Sequence, residues 1–206
     1  MFEALRELVF PIVCLGCSRA RVALCSSCLP LAESLAFTAG GVPVRALGAY
    51  DGVLRTAIVR MKDGERAYLA AFAALIAERM SIERTLVPLP TTAARRAARG
   101  FDQSIAIAEL VARACDVPMQ HLLVKHGSAQ HGRRREERLI GPSFAVRRGP
   151  LPESVVLLDD VCTTGGTIRA AVAQLTAAGV RVDGTIVVAR TPETPPRARR
   201  SWRPER

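Results

Sequence analysis

Two adjacent carboxylates, Asp159 and Asp160, followed closely by Thr163, Thr164, Gly165, Gly166 and Thr167, form the stretch best suited to chemistry. Small residues let successive backbone N–H groups converge on an anion, and the threonine hydroxyls add donors. Each hydrogen bond to a charged group contributes about 1.5–3 kcal/mol. Carboxylates beside such a cradle would repel a second phosphate, so they suit sugar hydroxyls, met directly or through a magnesium ion. An acidic pair followed by an anion cradle therefore describes ribose 5-phosphate. The turn has neither the Gly-Lys-Ser/Thr of a P-loop nor the G-x-G-x-x-G of a dinucleotide fingerprint.

A second chemistry lies near the start. Cys14-x-x-Cys17 and Cys25-x-x-Cys28 have the spacing of two knuckles that close a tetrahedral four-thiolate zinc site; free thiols or a redox pair are the alternatives. The opening residues carry Glu3, Arg6 and Glu7, break at Pro11 and make a poor signal peptide. The expected compartment is the cytoplasm, where metal is favoured over disulfides. The zinc would be structural, because so small a module has no apolar core, and metal binding is worth roughly 10–16 kcal/mol in isolated fingers. Cys115 reads as core, and Cys162 in the phosphate turn as either filler or a modifiable thiol.

Cations supply a third theme. Lys62, in the sequence KDGER at a helix exit, could meet a pyrophosphate or face solvent. Arg95, Arg96 and Arg99 follow the short strand TLVPLP in a basic loop; they suit a second anionic group or a solvated face. Arg133, Arg134, Arg135 and Arg138 stand in a segment expected to be mobile, able to clamp phosphates or to track a nucleic-acid backbone. The last ten residues add five Arg and one Glu to a chain whose net charge is +10. That charge fits a polyphosphate, nucleic acid, or both.

The elements that must position these groups are legible as periodicity. Val155 to Leu158 is a buried strand running into the acidic pair, and Ala170, Ala171, Val172, Leu175 and Ala178 continue as a helix to Gly179. Strands are expected at Val44 to Tyr50, Thr85 to Pro90, Ser143 to Arg147 (an edge strand) and Thr185 to Ala189. Helices are expected after Asp51 as cap, from Ala67 to Met80, and from Ile105 to Ala114; a short amphipathic helix covers residues 2–9. Strands alternating with helices predict an α/β fold: a parallel sheet flanked by helices, with the ligand at the carboxyl ends of the strands. Residues 30–43 read as a connector.

Three regions follow: 1–41 with the amino-terminal helix, cysteine module and connector; 42–190 as the main domain; and 191–206 as a basic tail expected to be disordered. At 49% hydrophobic residues the chain suits an aliphatic α/β core, and no stretch approaches the roughly 18 apolar residues of a membrane span, so membrane insertion is not expected. With 4% aromatics there is little for a base-stacking platform.

Val155 to Thr167 resembles the PRPP signature of type I phosphoribosyltransferases, in which four apolar residues precede an acidic pair and a Thr-Gly-rich loop. Over roughly residues 8 to 190 the chain resembles the ComF family. The ordered set that carries this is the cysteine pairs, Tyr50-Asp51-Gly52 with Leu54-Arg55, Lys62, VPLP from Val87, Arg99-Gly100-Phe101-Asp102-Gln103-Ser104, Gln130 with Arg138, and the PRPP signature. The resemblance implies a type I phosphoribosyltransferase fold with an N-terminal four-cysteine zinc knuckle module. Asp159 and Asp160 would contact ribose hydroxyls, with Mg2+ accompanying PRPP. Residues 163 to 167 would hold the 5-phosphate, and Lys62 and the loop with Arg95 and Arg99 would face pyrophosphate.

The resemblance also implies a link to DNA uptake and natural transformation, with single-stranded DNA and a competence helicase as partners. Three departures stand out: no second cysteine set occurs in residues 29–49, Asp102 replaces a usual Asn, and Gly141 lies near another. Thr163 stands where 6-oxopurine enzymes carry an Asp, which leaves an orotate- or adenine-like phosphoribosyltransferase, a non-catalytic PRPP sensor, or a DNA-binding accessory as readings. Homo-oligomerisation is left open.

Overall fold

An unbroken apolar run such as Val155 to Leu158 must be covered on both faces, which calls for strands beside it and helices above and below. The computed structural model, which describes residues 11–29, 35–126 and 143–192, supplies both. In chain order the strands are β1 (Leu35–Ala39), β2 (Val42–Ala49), β3 (Thr85–Pro88), β4 (Leu123–His126), β5 (Ser143–Val146), β6 (Ser154–Cys162) and β7 (Arg181–Arg190). The helices are α1 (Gly52–Lys62), α2 (Ala67–Arg79), α3 (Ala93–Arg99), α4 (Gln103–Cys115) and α5 (Gly166–Ala177). The main sheet has the order β1-β2-β7-β6-β3, parallel throughout except that β1 runs antiparallel to β2.

Alternation along β6 divides the interior. Leu157 joins Val44, Ile168, Leu175, Phe144 and Val187 in one layer, beneath α5 and the β4–β5 hairpin. Leu158 joins Ile58, Phe72, Ile107 and Ile186 in the other, beneath α1, α2 and α4. Both leucines are fully buried, each contributing about 1.5–3 kcal/mol. Side chains start the helices that return from the sheet: Asp51 accepts from the Gly52 N–H at 2.7 Å, Thr92 from Arg95 and Asp102 from Ile105. Such caps are each worth about 1 kcal/mol.

Several expectations are corrected. The connector contains β1, because Gly40 and Gly41, both at positive φ (66° and 78°), make a tight hairpin turn rather than linker punctuation. The sheet is consequently mixed. The arginine-rich stretch after TLVPLP is the helix α3, closed by Gly100 in the left-handed region, and not a loop. Among the described residues Ser143–Val146 pairs only with β4, in a separate two-stranded sheet, so it is no edge of the main one. Finally, β6 does not stop at Leu158: β7 keeps pairing beside it, with Asp159 opposite Val187 and Val161 opposite Ala189, so the acidic pair lies inside the strand. The expected helix at residues 2–9, the Arg133–Arg138 segment and the basic tail fall outside the described residues.

Candidate functional site

The acidic pair occupies the carboxyl end of β6, where parallel strands leave a crevice for ligands. Asp159 Oδ1 accepts from the Asp160 N–H and from the Ser104 hydroxyl, both at 2.9 Å. Asp160 Oδ1 accepts from the Val161 N–H at 2.7 Å. Its other oxygen, Oδ2, lies 2.8 Å from the Lys62 ammonium at the end of α1. Lys62 thus faces the acidic pair, not solvent. Asp159 keeps some surface on the crevice but is packed round by protein. Burial, then the neighbouring Asp160 charge, raise its carboxyl to about 8, against the opposing pull of the Asp160 N–H, Ser104 and Lys125.

The cradle follows without a break. Gly165 caps α5 at φ 73°, and a small hollow of about 120 Å³ is lined by Asp159 and residues 161–168. Two close approaches shape it. A methyl group at Gly165 would lie 2.9 Å from Ala39 Cβ, and one at Gly40 would lie 3.0 Å from Arg169 Cα, so the β1–β2 hairpin tip is seated against the turn. Arg169 donates to the Thr164 carbonyl at 2.9 Å across the same turn. Thr163 and Thr164 are exposed, and Gly166 and Thr167 half-buried, at the start of a twelve-residue helix whose N–H groups and dipole favour an anion. Cys162 is buried, and burial followed by the Asp159 charge raises its thiol, which favours the filler reading.

Because β3 and β6 are parallel neighbours, α3 emerges at the same end of the sheet as the acidic pair. Arg95 on it is exposed, and Arg99 donates to Gln103 Oε1 at 3.1 Å. Among the described residues no hydrogen bond or ion pair joins either arginine to the acidic pair. Asp102 has a structural task that uses both of its oxygens: Oδ1 caps α4 by accepting from the Ile105 N–H, and Oδ2 accepts from the Thr91 N–H at 2.7 Å, where the amide nitrogen of an Asn could not accept.

Sequence reasoning used Ser104 only as a motif marker and passed over Lys125. The first approaches Asp159 from the start of α4, the second acts on it from β4. Position in the helix-capping stretch was the one cue for Ser104; no local cue pointed to Lys125.

The four cysteines form a second centre. The Sγ atoms of Cys14, Cys17, Cys25 and Cys28 all lie within 4.8 Å of one another, with Cys14 to Cys25 at 3.6 Å and Cys17 to Cys25 at 3.7 Å. Sulfurs tetrahedral about an ion at about 2.3 Å stand about 3.8 Å apart, so the group can hold a metal ion. Burial works against ionising Cys14, yet the N–H groups of Cys17, Gly16 and Cys25 bring it down to about 6. Cys28 is pushed up to about 12, first by the Cys17 thiol and then by burial. Thiols so crowded cannot all ionise without a cation between them. Gly16 is required here, since a methyl group would meet Cys28 Sγ at 2.6 Å. Leu24 and Leu29 anchor this segment in the layer of α1 and α2, and Arg79 donates to the Ser26 and Leu29 carbonyls.

Residues 102–203 match the family model described as Phosphoribosyl transferase domain. Over 146 residues the chain is 30% identical to Competence protein ComFC of Streptococcus pneumoniae, covering 68% of this chain and 65% of that protein. Over 110 residues it is 30% identical to Competence protein F of Haemophilus influenzae, covering 50% of this chain and 48% of that protein. Together these matches support a ComF-family phosphoribosyltransferase-like protein. The chain spans just under two thirds of the pneumococcal ComFC and about half of the Haemophilus protein. Its fold is the type I phosphoribosyltransferase fold with a mixed, mostly parallel sheet. Adenine phosphoribosyltransferase from Leishmania donovani is similar at 16% identity and a TM-score of 0.42, covering 66% of this chain and 71% of that one, a loose likeness. Among the described residues, no helix is long and apolar enough to cross a membrane.

Proposed function

We propose that the chain binds PRPP or ribose 5-phosphate at the carboxyl end of β6. The observation that carries this is continuity: Asp159, Asp160 and the turn 163–167 share one strand–turn–helix unit, and the hollow extends from the first carboxylate to the start of α5. In this reading the ribose hydroxyls meet Asp159 and Asp160, and the 5-phosphate meets the backbone and hydroxyls of Thr163, Thr164, Gly165, Gly166 and Thr167. Lys62 turns toward the pyrophosphate, with Arg95 and Arg99 on α3 at the same end of the sheet. Mg2+ fits an oxygen-rich pair of this kind, and when bound it supplies charge neutralisation for the pyrophosphate. Zinc on Cys14, Cys17, Cys25 and Cys28 is the structural metal that the all-thiolate donor set favours.

By kinship with proteins named for competence, we place the chain's role in DNA uptake and natural transformation. Phosphate contacts from the arginines of residues 133–138 and of the tail would supply sequence-independent binding of single-stranded DNA, beside a helicase partner.

Calorimetry with PRPP and magnesium tests the pocket. The wild type should bind, and the double variant D159N/D160N should lose at least tenfold in affinity while its circular dichroism is unchanged. Equal affinities would remove the acidic pair from the site. DNA binding is tested separately, through a steep fall with salt and a drop on deleting residues 197–206.

A further inference from the structure

We propose that Lys62 makes the acidic pair reject a free divalent cation and accept one only together with an anionic ligand. The proposal rests on the reading of the pocket given above and adds which form of the metal can enter it.

Three of the four carboxylate oxygens are engaged in the free protein. Asp159 Oδ1 holds the Asp160 N–H and the Ser104 hydroxyl, Asp160 Oδ1 holds the Val161 N–H, and Asp160 Oδ2 holds Lys62 at 2.8 Å. The two backbone donors belong to β6, which β7 pins on either side of them, so they cannot withdraw without breaking the sheet. Ser104 is neutral and buried. Lys62 is the charged partner on a flexible stem, and a cation that takes Asp160 Oδ2, alone or together with the remaining oxygen of Asp159, must displace it.

Displacement by metal alone is opposed twice. Magnesium would sit about 2.0–2.1 Å from a carboxylate oxygen, on an oxygen whose ammonium is already in hydrogen-bond contact, and the side chains of Lys62 and Asp160 are only 23% and 18% exposed, so water screens the repulsion poorly. Lys62 is also the last residue of α1, where the helix carbonyls favour a cation. A metal arriving with a polyphosphate meets neither difficulty: the metal takes the carboxylate, and the ammonium exchanges Asp160 for the ligand's anion. Lys62 is thus a specificity-determining residue for the metal–ligand pair.

The test uses the full chain and two variants, Lys62→Met and Lys62→Gln, each checked for folding by circular dichroism. Free Mn2+ is followed by electron paramagnetic resonance during titration without any organic ligand, and Mg2+ with PRPP is titrated by calorimetry. We expect Mn2+ alone to bind at least tenfold more tightly to both variants, and PRPP with Mg2+ at least tenfold more weakly. Unchanged or weaker Mn2+ binding in the folded variants overturns the proposal, even if PRPP binds the wild type. If Mn2+ affinity rises but no chain binds PRPP, the competition between lysine and metal is supported and the phosphoribosyl reading of the pocket fails.

Discussion

The Ser104 hydroxyl donates to Asp159 Oδ1 at 2.9 Å, tying the start of α4 to the end of β6 across 55 residues of sequence. The bond favours the ionised carboxylate, which burial and Asp160 oppose. Ser104→Ala should raise the Asp159 pKa further, weaken PRPP binding at neutral pH roughly tenfold, and cost about 1 kcal/mol of stability. Calorimetry and urea unfolding read the two effects, and an unaltered affinity would show that the serine matters only to the fold.

Stability should depend on pH through Asp159. Its native carboxyl titrates at about 8, against about 4 in an unfolded chain. Between those values the native state holds one proton more than the unfolded state, so stability falls as pH rises through this window, by at most about 1.4 kcal/mol per pH unit. Asp159→Asn cannot titrate and should flatten the profile. Urea midpoints measured from pH 5 to pH 8 check this, and parallel wild-type and variant profiles would refute it.

Removing metal should loosen the amino-terminal segment selectively. Elemental analysis is expected to find one zinc per chain, lost in Cys25→Ser, whose native side chain is buried among the other three thiols. The variant should be cut by protease within residues 11–29 while β6 and β7 keep their amide protection. An uncut, metal-free segment would mean that Leu24, Leu29 and the Arg79 contacts hold it without an ion.

Gly165→Ala should damage the anion cradle more than the fold. The new methyl group meets Ala39 Cβ at 2.9 Å, and the residue sits at φ 73°, a conformation costing roughly 1–2 kcal/mol outside glycine. We expect a large loss of affinity for ribose 5-phosphate with cooperative unfolding retained. Gly41→Ala, at positive φ but with open space around it, is the control that carries backbone strain without the collision.

What could be read from the sequence was whatever a few consecutive residues decide. Val155 to Leu158 announces a doubly buried strand because no face is polar, the cysteine spacing announces a metal-sized cluster, and Asp51 announces its helix by preceding an apolar period. What escaped depended on partners far away in the chain. Asp159 and Asp160 look like turn residues until β7 is known to run on beside them, and β1 looks like linker because strand character in Leu35–Ala39 is conferred by pairing with β2. Lys62 was ambiguous for the same reason: charge alone favours water, and only the placement of α1 brings it to Asp160.

The seating of the hairpin tip on the phosphate turn, Gly40 against Arg169 and Ala39 against Gly165, bears on the entropy of binding. A loop braced on both sides before any ligand arrives has little backbone freedom left to surrender. Binding at the 5-phosphate end should therefore proceed with a small entropic penalty and fast association, leaving slower ordering to whichever groups answer the other end of the ligand.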